Sequence, residues 1–343
     1  MHLPTLPTLV ADPTWFPTTF ELAHEAFRFH RLDSQTIADA GFLDQRAWAN
    51  DAPLLHVPWR QLAPPVAATA PLAWVFHTGF CGSTLLARIL QDPPRVMALR
   101  EPQALLDLAQ ASHRLPTRST DAALASLLAL LARPWRDGGQ CLVKPTNHAN
   151  NLLPQLLRAS SGRAILLYSS LPEFVLSRCS KLPTAERFVR WLAQHLLHGS
   201  RLADALGVPW NHEFHFIEAC VLAWHVQIEI FADALAADAD DRLRSLDFET
   251  LRAAPEQAVP ACARWLDLGA DDAFWQQRAA FESGRDAKHV DRQFNARDRA
   301  AQRQVLRERH RPLLDAARQW SEQVVAPVAV MPAHWKPLLP PSS

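Results

Sequence analysis

Hydrophobic positions along this chain follow two rhythms. Short β-type runs at residues 72–76, 95–99, 140–143, 163–168 and 242–246 alternate with stretches at 83–91, 122–131, 151–158, 172–179, 184–206 and 213–236, where apolar residues recur every three or four positions. Runs without polar alternation suit strands buried on both faces, and the helical stretches between them supply crossovers. The pattern predicts an α/β fold of three layers, α/β/α, around a central parallel sheet. The helical region 184–236, broken at Gly207-Val208-Pro209, is longer than a crossover requires and predicts a helical pair over a substrate cleft. Ahead of the first strand, two amphipathic stretches near 19–31 and 34–48 predict a helical cap over residues 1–70, joined through Leu62-Ala63-Pro64-Pro65. The α/β domain is expected over 71–325, and the Pro-rich residues 326–343 read as an extended tail.

Composition narrows the chemistry. With 343 residues, 48% of them hydrophobic, the chain is long enough to bury one large core. Its 35 basic and 35 acidic side chains balance, leaving no global field for nucleic acid or an anionic membrane, so any anion site must be local. Met1-His2-Leu3-Pro4 opens no signal sequence, and no apolar run approaches the ~20 residues of a membrane span, so a cytoplasmic protein is expected. Five scattered cysteines fit neither a disulfide framework nor a metal site. His195 and His198, and His212, Glu213 and His215, lack ligand spacing, and no metal is expected.

The most informative segment is His77-Thr78-Gly79-Phe80-Cys81-Gly82-Ser83-Thr84, which leads from an apolar strand into an apolar helix. Gly79 and Gly82 permit a tight turn that faces backbone N–H groups toward an anion, with Ser83 and Thr84 adding hydroxyls. Cys81 sits where a helix N-terminus would activate a thiol. The loop lacks the Gly-Lys-Ser/Thr ending of nucleoside-triphosphate hydrolases, which argues against ATP or GTP chemistry. A strand-to-helix turn capped by Ser83 or Thr84 is the plainer alternative.

This loop, the strand end Cys141-Leu142-Val143-Lys144-Pro145-Thr146-Asn147, and Asp247-Phe248-Glu249-Thr250-Leu251 followed by Trp265-Leu266-Asp267-Leu268-Gly269 together resemble the sulfotransferase family. That resemblance implies a P-loop-like fold, 3′-phosphoadenosine 5′-phosphosulfate (PAPS) as sulfuryl donor, and a small-molecule acceptor carrying a hydroxyl or amine. A homodimer is a further option. Gly79, Phe80, Cys81, Gly82, Ser83 and Thr84 would bind the donor. Phe80 stands where relatives carry a Lys or Arg, and Lys144 would replace that charge. His148 lies near the family's catalytic His, although Pro145 and Thr146 depart from its motif. Glu101, just past the second strand, would take the acceptor proton; it equally suits a helix cap before Pro102. Ser177 matches the Ser of the family's 3′-phosphate pair, whereas Ser169 occupies the Arg position. Arg178 and Lys181 would make good that charge, or Arg178 is solvated surface. Arg285 and Lys288, beside Gly284, are the nearest counterpart of the basic closing loop.

Trp191, Trp210 and Trp224 would suit a ring-bearing acceptor. Arg299, Arg303, Arg307 and Arg311 share one helix face and read as solvated or partner-facing. Two rival functions remain: a non-catalytic binding or scaffold protein on the same fold, and a kinase, for which the loop lysine is missing.

Overall fold

A computed structural model describes residues 4–48, 54–62, 71–93, 95–209, 211–283 and 296–339. Among the described residues eight strands run in chain order: β1 (Trp15–Glu21), β2 (Ala26–Arg31), β3 (Leu54–Pro58), β4 (Ala73–His77), β5 (Val96–Arg100), β6 (Gln140–Lys144), β7 (Ala164–Tyr168) and β8 (Leu243–Asp247). The last five form one parallel sheet in the order β5-β6-β4-β7-β8, and 53% of the described residues are helical, so the protein is α/β. All five strands lie within two residues of the expected runs; β4 to β7 are buried along nearly their whole length, and β8 at three of its five positions.

The expected helical cap is instead a three-stranded antiparallel sheet, β1-β2-β3. Aromatic and β-branched residues dominate β1, while the helix formers Leu22, Ala23 and Ala26 sit in and beside the hairpin turn and imitate a helical rhythm. Of the second stretch, only Ser34–Asp39 is helical, capped by Asp33. The helix expected over 184–206 is two, Thr184–Leu197 and Arg201–Leu206; they are separated at Gly199, whose φ is 70°, and Ser200 caps the second.

Contacts divide the chain into two compact units. The first holds residues 1–76, 84–165 and 259–276, so the described residues ahead of β4 belong to a larger unit. Buried Arg133 ties them in, donating to the carbonyls of Leu9 (2.8 Å), Asp12 (2.8 Å) and Trp15 (2.8 Å). Burial lowers its pKa to about 10. The Phe20 N–H also donates to Asp107 Oδ2 at 2.9 Å.

The second unit holds residues 77–83, 166–258 and 277–343. The helix Phe216–Ala236 runs through its core among Val189, Leu192, Leu196 and Phe174. By length and composition this helix would pass for a membrane span, contrary to expectation, yet most of it is buried in the protein. His225 on it meets Ser321 Oγ at 2.8 Å, and burial lowers its pKa to about 4. The C-terminal segment is docked: Trp335 stacks on Tyr168 with ring centroids 4.1 Å apart. Ser245 N–H donates to Lys336 O (2.7 Å) and Leu338 N–H to Ser245 O (2.8 Å), a parallel bridge along β8.

Candidate functional site

The loop after β4 begins with Thr78 N–H on Leu167 O (3.1 Å), and the Cys81 thiol donates to the same carbonyl at 3.5 Å. Gly79, Phe80 and Gly82 all have left-handed backbone, with φ of 89°, 56° and 74°. For Phe80 that conformation is strained. A helix opens at Ser83, as expected. Gly82 is required twice over: a Cβ there would lie 2.8 Å from the Phe248 ring, at a φ that side chains avoid. Gly82→Ala is therefore expected to cost about 1–2 kcal/mol in urea unfolding from backbone strain alone.

The charge absent from the loop is supplied by the Leu171–Cys179 helix. Side chains on a helix lean toward its N-terminus, and Arg178 is fully buried (0% exposed), with its guanidinium carbon 4.5 Å from the ring centre of Phe174, one turn back. The same carbon lies 4.1 Å from the Phe80 centroid and 5.0 Å from that of Phe188. None of its three nitrogens has a hydrogen-bond partner among the described residues. Burial holds its pKa down to about 9. Cation–π contacts offset part of the desolvation cost but satisfy no N–H. Lys181 adds a second cation, 3.7 Å from the Phe80 ring centre. Thus Phe80, in the position expected to carry a cation, is a platform for two of them. Arg178 is not the solvated surface residue that sequence allowed.

Ser169 is also buried, and its hydroxyl has no hydrogen-bond partner among the described residues, while its carbonyl accepts from Trp224 Nε1 at 2.8 Å. Ser177 departs from expectation. Its hydroxyl donates to Glu173 O one turn back (2.8 Å), so its single proton is already used. The arginine face also differs: Arg303 and Arg307 both bind the buried Glu173 carboxylate, so there the helix Ala296–Arg309 faces its own chain. Arg285 and Lys288 lie outside the described residues, as does Trp210.

In the first unit Lys144 ends β6 and Glu101 follows β5; their side chains form an ion pair. Lys144 is 1% exposed and Glu101 27%. Glu101 N–H donates to Lys144 O at 2.6 Å, and Glu101 has left-handed backbone with φ 53°. His148 is buried in a 3₁₀ turn, its Nδ1 3.5 Å from Thr146 Oγ1. All five cysteines are buried thiols; burial raises Cys141 to about 12 and Cys179 to about 11. A separate cavity of about 640 Å³ in the second unit is lined by Tyr168, Asp247, Thr250, Arg252 and Trp335.

No protein-family model matches this chain, and no curated protein matches it either.

Proposed function

We propose that this chain has a P-loop-like fold of the sulfotransferase type and transfers a sulfuryl group from PAPS to a hydroxyl or amine of a small acceptor. The observation that carries the reading is Arg178: a buried guanidinium whose three nitrogens have no hydrogen-bond partner among the described residues, packed on the aromatic residue of a left-handed glycine loop. A buried cation in that state is stabilised by an anion that brings hydrogen-bond acceptors. Phosphate or sulfate oxygens are such acceptors, and Ser169 offers a further buried hydroxyl. In the transfer, the acceptor oxygen or nitrogen bonds to sulfur as the bond from sulfur to the bridging phosphate oxygen breaks. Adenosine 3′,5′-bisphosphate leaves, and the acceptor's proton passes to a general base. Positioning and electrostatics suffice for such a step, as in phosphoryl transfer.

One observation favours a second reading, an anion-binding protein without turnover: Lys144, the expected catalytic cation, already has Glu101 as its counter-ion. Calorimetry with adenosine 3′,5′-bisphosphate, against adenosine 5′-phosphate and ATP, tests the shared premise. Selective bisphosphate binding is expected; preference for ATP, or no binding, overturns it. Sulfuryl transfer from labelled PAPS across an acceptor panel then separates enzyme from binding protein.

A further inference from the structure

The antiparallel sheet of the first unit carries a cluster unrelated to anion binding. Glu21 pairs with Ala26 across the β1–β2 hairpin, and Arg28, two residues further along β2, pairs with His56 in β3. Side chains two apart share a face of a strand, so Glu21, Arg28 and His56 stand on one side, while Phe27 and Phe29, both 0% exposed, fill the core from the other. The turn between the strands, closed by Glu25 in left-handed conformation (φ 46°), sets His24 beside them. Glu21 Oε2 lies 3.2 Å from His24 Nδ1 and 3.3 Å from His56 Nδ1. The three atoms are all within 4.8 Å of one another.

We propose that Glu21, His24 and His56 form a binding site for a divalent transition-metal ion of the zinc class. Two imidazoles and a carboxylate are the donor types such ions take. The spacing fits as well. Bonds of about 2.0–2.1 Å in a tetrahedron place neighbouring ligand atoms about 3.3 Å apart, the separation found on both measured edges. Arg28 binds Oε1 of Glu21, which leaves Oε2 directed at the two rings and orients the carboxylate as outer partners of metal ligands do. His24 and His56 are exposed, at 69% and 41%. An ion therefore enters from solvent without opening the sheet, and water completes its shell. Three ligands at a solvent-facing site define an exchangeable ion rather than one the fold depends on.

The test uses the untagged full-length chain, freed of metal by a chelator. Zinc binding is followed by calorimetry at neutral pH and cobalt(II) binding by visible absorption. One ion per chain is expected, with a cobalt spectrum of four-coordinate intensity. His24→Ala, His56→Ala and Glu21→Gln are each expected to weaken binding by about tenfold or more, and His24→Ala/His56→Ala to abolish it, with an unchanged urea midpoint showing an intact fold. No zinc binding up to millimolar concentration overturns the proposal. So does undiminished binding by the double variant, or a weak six-coordinate cobalt spectrum that the substitutions do not alter.

Discussion

Arg178→Met is expected to leave a chain more resistant to urea than the parent and unable to hold adenosine 3′,5′-bisphosphate. Replacing buried ionic groups by well-packed apolar side chains of similar volume is often neutral or gains about 1–4 kcal/mol, and Arg178, which lacks hydrogen-bond acceptors among the described residues, falls on the gaining side. The same substitution removes charge-assisted hydrogen bonds to a bound anion, each worth about 1.5–3 kcal/mol, so affinity should fall by about a hundredfold. The pH dependence follows from its pKa, held near 9 by burial. Between about 9 and the ordinary arginine range, the unfolded chain keeps a proton that the folded chain has released. Arg178 therefore contributes stability that rises with pH across that window, opposed by the buried thiols Cys141 and Cys179, whose pKa burial raises. Bisphosphate affinity runs the other way, declining as pH passes about 9 and the guanidinium loses its charge. Arg178→Met should lose the Arg178 contribution to both, while Arg133 and the buried thiols still titrate as in the parent. If the variant binds the bisphosphate as tightly as the parent, Arg178 is not the anion-binding group.

Removing the two partners of the Lys144–Glu101 pair should have unequal costs. Glu101→Gln leaves an ammonium that is 1% exposed without its counter-ion, and breaking a buried pair in this way costs about 3–5 kcal/mol. Lys144→Met leaves a carboxylate that is 27% exposed and reaches water, so its cost should be about 1 kcal/mol, as for surface pairs. Glu101→Gly loses the same carboxylate but relieves the left-handed backbone at φ 53°. It should recover about 1 kcal/mol relative to Glu101→Gln. Urea unfolding of the three variants measures this order. Equal costs for Glu101→Gln and Lys144→Met would mean that burial of the ammonium is not what the pair stabilises.

Sequence disclosed those features whose causes are local. Runs such as Ala164-Ile165-Leu166-Leu167 have no polar alternation because both faces are covered, and they mark the parallel sheet directly. The hairpin was hidden because Ala23, Ala26 and Phe27 recur at helical spacing. Only the pairing of Phe20 with Phe27 settles the matter. The loop was legible from its glycines, and Lys144 and Glu101 from their places at strand ends. The surroundings of Arg178 were not, since Phe80, Phe174 and Phe188 come from three segments and meet only in the folded chain. Ser177 misled because its motif position takes no account of a carbonyl one turn earlier that accepts its proton. His56 is 32 residues beyond His24, a separation at which no ligand spacing is recognisable.

The docked tail bears on self-association. β8 is the last strand of the parallel sheet and would otherwise present open N–H and C=O groups to any extended chain that drifted by. Lys336 and Leu338 occupy both backbone groups of Ser245, and Trp335 fastens that segment to Tyr168. The final residues thus act as a sacrificial strand. A chain cut before Trp335 would retain its loop and its buried arginine but gain an adhesive edge, and its first symptom would be turbidity rather than loss of ligand.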